Sequence, residues 1–229
     1  MYDPVVNGQR LTFDVAGLYK GVMAFRDRQT GTVWGQLDGN AVQGPLDEER
    51  LAIVPVPMMT WVEWRAQHPD TLVLDLNTPY GQYYRPVQAG VGRLASESLV
   101  VGVEVNGAFT AFPVVILTNE NEGSIVNAEV GGEPVVVYHA GSGLGAAFSR
   151  TVGGQTLHFV SEAGTDGLQL VDDETGSTWD ITGRAVDGPM AGASLSFVTS
   201  FISEWYGWVG YHPETELYVG YGDYLRNEE

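Results

Sequence analysis

Two copies of an Asp-x-x-Thr-Gly-x-x-Trp pattern hold the residues of this sequence that come closest to a chemical site. They run from Asp27 to Trp34 and from Asp172 to Trp179. A β-hairpin explains the pattern structurally, because Asp and Thr bond the backbone of a turn, Gly adopts the left-handed conformation and Trp packs across the strands. The alternative is a ligand-binding site, in which the same side chains face a pocket.

The first copy is richer in polar side chains than the second. It has Arg28 and Gln29 where the second copy has Asp173 and Glu174. A duplicated fold commonly keeps function in one half, so we place the ligand-binding set in the first copy. Its predicted members are Tyr19, Lys20, Asp27, Arg28, Gln29, Trp34 and Gln36.

Other chemistry finds little support in the sequence. The chain has no cysteine, which excludes disulfides, thiolate zinc sites and thiol nucleophiles within it. His139 and His158 fall on predicted neighbouring strands but lack a third ligand at a clear spacing. His68 and His212 each precede a proline after a predicted helix, where an imidazole is expected to cap terminal carbonyls. We therefore predict no catalytic residue and no metal site, and the sequence indicates no particular cofactor.

The pattern belongs to a longer recurrence, in which residues 8–71 return as residues 154–215. The offset is 146 at Gly8 (154 minus 8), 145 at Trp34 (179 minus 34) and 144 at Trp61 (205 minus 61), as two small loop deletions would produce. We predict two tandem related β-rich repeats joined by an approximate twofold relation. Residues 1–88 form the first, which lacks its N-terminal strands through truncation or loss, and residues 89–229 form the complete second.

The predicted fold class is mainly β, with one short Trp-bearing helix in each repeat. The Trp pairs, Trp61 with Trp64 and Trp205 with Trp208, are expected to seal each helix onto the sheet. β-branched and aromatic runs between turn signals predict strands at 9–15, 21–27, 32–37, 50–56, 101–107, 108–112, 134–140, 146–152, 155–160, 168–173 and 195–198. The helices begin near Thr60 and Ser203, which are suited to N-caps, and end before a His-Pro pair. A shorter helical turn is expected after Pro113, and residues 74–98 are expected to form a connector.

The charge of the chain limits its partners. It has 29 acidic and 11 basic residues, giving a net charge of −18, and only one of the basic residues is lysine. This charge disfavours binding to nucleic acid, and no segment is apolar and long enough to insert in a membrane. A small-molecule or protein ligand remains open. Acidic sequences with almost no lysine are typical of proteins that stay hydrated in high salt, although a high-GC genome also favours Arg over Lys.

The segments DRQTGTVWGQLDGNAVQGPL, IVNAEVGGEPVVVYHA and DETGSTWDITGRAVDGPMAG resemble the bacterial and archaeal family catalogued as domain of unknown function 3179. In that family the strand corresponding to residues 135–140 usually runs into a Cys-Pro-x-Cys-like segment, and one cysteine is selenocysteine in some relatives. The resemblance therefore implies thiol redox or soft-metal chemistry at this place. Here the corresponding stretch is residues 138–143, Tyr-His-Ala-Gly-Ser-Gly, which holds no cysteine, so the chain departs from the pattern.

Two hypotheses for function follow, with a third kept open. The first is a noncatalytic, exported or envelope-associated module that binds a small molecule or a protein. The alternative is a thiol redox or metal-handling protein whose cysteine-containing segment lies upstream of Met1. A protein that acts on carbohydrates is the third, and it would require two carboxylates facing each other in an aromatic cleft.

Overall fold

Strands make up most of the regular structure in the computed structural model, which describes residues 1–54, 61–73, 93–119, 125–140, 144–164, 167–220 and 223–225. The fold is therefore mainly β, as the runs of β-branched and aromatic residues predict. The predicted connector at 74–98 lies largely outside the described residues, which resume at Arg93.

The first part of the chain forms a small hairpin and a four-stranded sheet. The hairpin pairs β1 (Val5–Val6) with β2 (Gln9–Arg10). The sheet has the order β3-β4-β5-β6, with strands Phe13–Tyr19, Val22–Asp27, Val33–Gly35 and Ala41–Gln43. Helix α1 (Trp61–Gln67) follows. We call this four-stranded sheet the first sheet.

The middle of the chain supplies most of a larger sheet. Its strands are β7 (Leu99–Val105), β8 (Ala108–Pro113), β9 (Ile125–Val130), β10 (Glu133–Ala140) and β11 (Leu144–Ser149). Helix α2 (Val114–Asn119) lies between β8 and β9, where a helical turn after Pro113 is predicted.

A second hairpin and a second four-stranded sheet come next, and they have the same layout as the first. The hairpin pairs β12 (Thr151–Val152) with β13 (Gln155–Thr156). The sheet has the order β14-β15-β16-β17, with strands Phe159–Gly164, Gly167–Asp172, Thr178–Trp179 and Ala185–Asp187. We call it the second sheet.

The chain then returns to the larger sheet, which we call the central sheet. It adds β18 (Phe197–Glu204), helix α3 (Trp205–Tyr211), β19 (Glu216–Gly220) and β20 (Asp223–Leu225). The strand order is β20-β19-β8-β7-β18-β11-β10-β9, antiparallel except for the β19/β8 pair. Strand β9 at one end also contacts β7 and β8, so the sheet curls around an apolar interior. Helix α2 closes that interior with Leu117.

Two faces of the central sheet carry the neighbouring elements. The β9–β11 side packs against the second sheet through a cluster that includes Val136, Tyr138 and Trp179. The β7 and β8 side is covered by α3, whose Trp205 and Trp208 are both fully buried. Leu37 of the first sheet's β5–β6 connection also packs against this second cluster. The first sheet thus reaches the central sheet beside α3.

Three local expectations differ from the structure. Residues 50–54 make only isolated bridges, at Arg50 and Ile53, instead of the predicted strand, because each pairs with a single partner residue. The N-cap of α3 is Glu204 and not Ser203, and it makes no side-chain capping bond. Trp61 of α1 is 46% exposed, whereas we expected it to seal the helix against a sheet. Thr60, the predicted N-cap of α1, lies outside the described residues.

Candidate functional site

The carboxylate of Asp27 is turned into its own hairpin. It accepts hydrogen bonds from Trp34 Nε1 at 3.0 Å, from Thr30 Oγ1 at 2.8 Å and from Thr30 N at 2.5 Å. Asp27 and Trp34 are buried. Burial alone would raise the pKa of Asp27, but the bonds from Trp34 and Thr30 outweigh it and hold the pKa below its ordinary value. The negative charge of Asp27 is therefore stabilised by hydrogen bonds within its own turn.

The carboxylate of Asp172 has the same set of partners in the second sheet. It accepts from Trp179 Nε1 at 2.8 Å, from Thr175 Oγ1 at 2.9 Å and from Thr175 N at 2.6 Å. Burial opposes a low pKa here too, and the bonds from Trp179 and Thr175 again lower the pKa of Asp172. Each carboxylate bonds within its own turn, which is what the hairpin interpretation expects.

Arg28 and Gln29 lie on the exposed outside of the first hairpin. Arg28 forms a two-point ion pair with Asp14, with Nε 2.7 Å from Oδ2. The Gln29 amide accepts from Thr12 N at 2.8 Å and donates to Thr12 Oγ1 at 2.9 Å. Both side chains therefore fasten the start of β3 to the turn.

Tyr19 and Lys20 lie at the opposite end of the β3–β4 hairpin, against helix α3. The Tyr19 and Tyr211 rings meet edge to face with centroids 5.6 Å apart. Lys20 Nζ lies 5.3 Å from the Tyr211 ring centroid and donates to the Tyr211 carbonyl at 3.4 Å. Lys20 has a positive φ of 51°, as the tight turn to Gly21 requires. This end of the hairpin is anchored to the central part of the molecule.

A cavity of about 380 Å³ lies where the first sheet meets the central sheet and α3. Gln36 belongs to its wall, and it is the one member of the predicted ligand-binding set that does so. The other described wall residues come from the N-terminus, β4, residues 37–54, β11, β18 and α3: Met1, Tyr2, Val22, Leu37, Ile53, Val54, Gly145, Ala146, Phe197, Ser200, Phe201, Ile202, Ser203, Glu204, Tyr206 and Gly207. The structure does not bring the predicted set together. Its members lie at four places: inside the first turn (Asp27 and Trp34), on the outside of that turn (Arg28 and Gln29), against α3 (Tyr19 and Lys20) and in the cavity wall (Gln36).

Two phenol groups, those of Tyr2 and Tyr206, belong to the cavity wall. Tyr2 donates from its hydroxyl to the carbonyls of Gln36 at 2.9 Å and Leu37 at 2.7 Å. At the start of α3, burial, the nearby Glu204 charge and a hydrogen bond to Glu204 raise the pKa of Tyr206. The Tyr206 phenol therefore stays protonated and donates to the Glu204 carboxylate. No lysine or arginine is among the described wall residues.

A cluster of ionisable groups borders the cavity behind Tyr2. Arg50 and Glu104 form a bidentate ion pair with N to O distances of 2.8 and 2.7 Å. Arg50 also donates to the Asp38 carbonyl at 2.8 Å. The bond from Arg50 is the largest influence on Glu104 and lowers the pKa of its carboxyl. The pair joins the segment after β6 to β7, so it ties the first sheet to the central sheet.

His212 and Tyr211 complete this cluster at the C-terminal end of α3. The His212 ring stacks on Phe109 with centroids 4.0 Å apart. Burial lowers the pKa of His212 to about 4 and raises the pKa of Tyr211 to about 12. The backbone, and not the imidazole, caps this helix end: His212 N donates to the Trp208 carbonyl at 2.9 Å. The imidazole packs against Phe109 instead.

The other three histidines have different surroundings. His139 is buried on β10, its ring nitrogens have no partner among the described residues, and burial lowers its pKa. His158 is exposed and lies 2.8 Å from Asp173. His68 is exposed, and its ring is tilted against that of Trp64 with centroids 4.2 Å apart. Residues 141–143, which follow the His139 strand and include Ser142, lie outside the described part of the chain.

Within the described residues, no group of three or more His, Asp or Glu side chains is placed to hold a metal ion. In the same part of the chain, no helix has the length and apolar character needed to cross a membrane.

The sequence missed Tyr2, Glu204 and Tyr206 as wall residues. A signal for Tyr206 was present, because it follows Trp205 directly and so faces away from the Trp205 and Trp208 stripe of the helix. Tyr2 carried no such signal, since its contacts with Gln36 and Leu37 span more than thirty residues.

Comparison with known proteins identifies one family. No curated protein and no solved structure matches the chain. The family model described as "Protein of unknown function (DUF3179)" matches residues 1–215 of the 229, which is nearly the whole sequence. The chain belongs to the DUF3179 family.

Proposed function

We propose that this protein is a noncatalytic binding module that takes a small molecule in the cavity between the first sheet and the central sheet. The observation that carries the proposal is the composition of the cavity wall. It combines Tyr2, Phe201 and Tyr206 with the Gln36 and Glu204 side chains in a space of about 380 Å³. Pockets that mix aromatic surface with a few placed polar groups are typical of small-molecule sites.

The charge of the wall defines the class of ligand. Glu204 carries a carboxylate and Tyr206 a protonated phenol, while no lysine or arginine lies among the described wall residues. The net charge of −18 also repels anions at long range. The ligand is therefore a neutral molecule with hydroxyl or amide groups, or a small organic cation.

Two further parts of the proposal concern the origin of the two sheets and the location of the protein. We infer that the first and second sheets descend from one duplicated unit, with boundaries at 1–88 and 89–229 and a twofold relation between them. The matching bonds of Asp27 and Asp172 support this inference.

The proposed location is exported or envelope-associated, which fractionation of expressing cells tests. The thiol alternative requires cysteines that these 229 residues do not contain.

The test is ligand-dependent melting of the full chain with three defined panels: neutral sugars and polyols, quaternary and primary amines, and carboxylates of similar size. We expect members of the first or second panel, and none of the third, to raise the melting temperature in a saturable way. Glu204→Gln and Tyr206→Phe should reduce that rise. Glu97→Gln, on an exposed carboxylate outside the cavity, should not. Equal responses to all three panels would contradict the proposal.

A further inference from the structure

The first sheet has an apolar face with a cavity of about 260 Å³. Its described wall residues are Tyr2, Pro4, Phe13, Phe25 and Leu51. All of these except Leu51 are partly exposed. The face continues along the edge strand β3, where Val15 and Leu18 are 68% and 78% exposed. Apolar surface of this kind beside an open strand edge is typical of an interaction site.

The second sheet shows what covers the corresponding face there. By the offsets of the recurrence, the five wall positions correspond to Phe148, Arg150, Phe159, Leu170 and Leu195. The four apolar ones are buried in a single cluster. That cluster also contains three residues contributed by β9 and β10: Ile125, Val136 and Tyr138. The β9–β10 hairpin is thus the cover of the second face.

The hairpin also pairs with the main chain at the sheet edge. The Asn127 side chain on β9 accepts from Phe159 N at 2.9 Å and donates to the Phe159 carbonyl at 2.7 Å. The corresponding residue of the first sheet is Phe13. The neighbouring main-chain bonds, Arg28 N to the Thr12 carbonyl at 2.9 Å among them, alternate along β3, so the Phe13 N–H and carbonyl point away from β4. No described side chain bonds to them.

One more contact of the second face is absent from the first. Arg150 donates from Nε to the Val135 carbonyl at 3.0 Å and from Nη2 to the Ala128 carbonyl at 3.4 Å, so it grips both β10 and β9. Pro4 occupies the corresponding position. The backbone is compatible with either residue, because the Pro4 and Arg150 carbonyls accept equivalent bonds, from Leu11 N at 2.8 Å and Leu157 N at 2.9 Å.

We propose that the apolar face of the first sheet docks a β-hairpin from a partner polypeptide with the chemistry of β9–β10. The partner presents an Asn that pairs with the Phe13 main chain, and β-branched or aromatic side chains that enter the 260 Å³ cavity. A small apolar molecule would fill the cavity and leave the edge amide and carbonyl without partners. The Asn side chain of a partner hairpin satisfies both, as Asn127 does at Phe159.

The test uses a synthetic peptide with the sequence of residues 125–140 and the intact chain. The chain's own β9–β10 already occupies the second face, so added peptide is free to bind only at the first. Titration calorimetry should show saturable one-to-one binding. Replacing the asparagine of the peptide, as in Asn127→Ala, should weaken binding about 10-fold, because two hydrogen bonds are lost.

Three variants of the protein sharpen the result. Phe25→Gln should weaken binding by removing apolar wall surface. Pro4→Arg should tighten it several-fold, because it restores the grip that Arg150 has on the second face. Leu72→Gln, at a side chain that is 93% exposed and not among the described wall residues, should leave binding unchanged. Because Pro4→Arg is a gain of affinity, a folding defect in Phe25→Gln does not obscure the answer.

Two outcomes would overturn the proposal. The first is the absence of saturable binding, or a peptide affinity that neither the asparagine replacement nor Pro4→Arg changes. The second is concentration-dependent dimerisation of the chain in sedimentation experiments that Phe25→Gln abolishes, which would assign the face to a second copy of this protein.

Discussion

The first and second sheets share their turns and differ in what lies against them. In both, a buried Asp holds a Thr and a Trp through the same three bonds. The second sheet packs fully on β9–β11. The first is joined to the central sheet through Leu37, Arg50 and the end of α3, and it leaves a cavity there and an open face elsewhere. The difference suggests that the shared turns serve folding and that binding belongs to the first sheet's surroundings.

Charge separates the two parts as well. Residues 1–88 hold 10 acidic and 7 basic side chains, whereas residues 89–229 hold 19 and 4. The electrostatic repulsion that salt would screen is therefore stronger within residues 89–229.

The largest expected effect concerns salt. The melting temperature should rise steeply from dilute buffer to molar sodium or potassium chloride, because screening relieves repulsion that is stronger in the compact state. The double variant Glu129→Gln/Asp187→Asn should have a weaker salt dependence of the melting temperature than the double variant Asp47→Asn/Glu48→Gln. Calorimetry of the two double variants at several salt concentrations measures the difference. A melting temperature that is flat over this salt range would refute adaptation to high salt.

Removal of the buried turn carboxylates should have the next largest effect. Asp27→Asn and Asp172→Asn should each lower the free energy of unfolding by about 3 kcal/mol, since the indole and hydroxyl donors lose a charged acceptor. Because the native pKa of each Asp is depressed, its stabilisation is present above the unfolded value of about 4 and is lost as the pH falls through the native pKa. Urea unfolding at pH 7 and pH 3 measures both effects. An unaltered midpoint in either variant would break the equivalence of the two turns.

The two histidines that follow the Trp helices provide a pH test. Burial lowers the pKa of His212 from 6.5 to about 4, so the unfolded state binds its proton first. Stability should fall by about 3 kcal/mol between pH 7 and pH 4, at about 1.4 kcal/mol per pKa unit. His212→Gln should reduce this slope, and His139 should supply part of the remainder because its native pKa is also lowered. His68→Gln, at the exposed corresponding position, is the control. Equal slopes in both variants would place His212 in solvent.

The smallest expected effect concerns the ion pair between the sheets. Arg50→Ser copies the residue found at the corresponding position of the second sheet, Ser194. It should cost about 1 kcal/mol, because the pair is bidentate but partly exposed. A double-mutant cycle with Glu104→Gln isolates the coupling. Zero coupling would mean that Arg50 contributes only its bond to the Asp38 carbonyl.

Local signals predicted the turns well because their stabilising contacts are local. Asp27 and Trp34 are seven residues apart, and turn chemistry alone links them. Strand β9 was not among the predicted strands, because Asn127 and Glu129 give it a polar character that only its pairing with β10 and the second sheet explains. The strand predicted at 50–56 met no continuous neighbour over its described part.

The cavity was beyond the sequence for a related reason. Tyr2, Gln36 and Tyr206 meet across most of the chain length, and no spacing rule connects them. The predicted ligand-binding set followed the pattern around Trp34, where the polar residues fasten the hairpin. Only Gln36 lies in the cavity wall.

Chemical-shift mapping of the labelled chain tests the central claim most directly. A titration with a neutral or cationic compound that raises the melting temperature should shift the amide signals of Gln36, Ser203 and Tyr206. The signal of Ile181, at the position of the second repeat that corresponds to Gln36, should stay in place. Shifts centred on the second sheet, or equal shifts in both, would contradict the assignment of binding to the first.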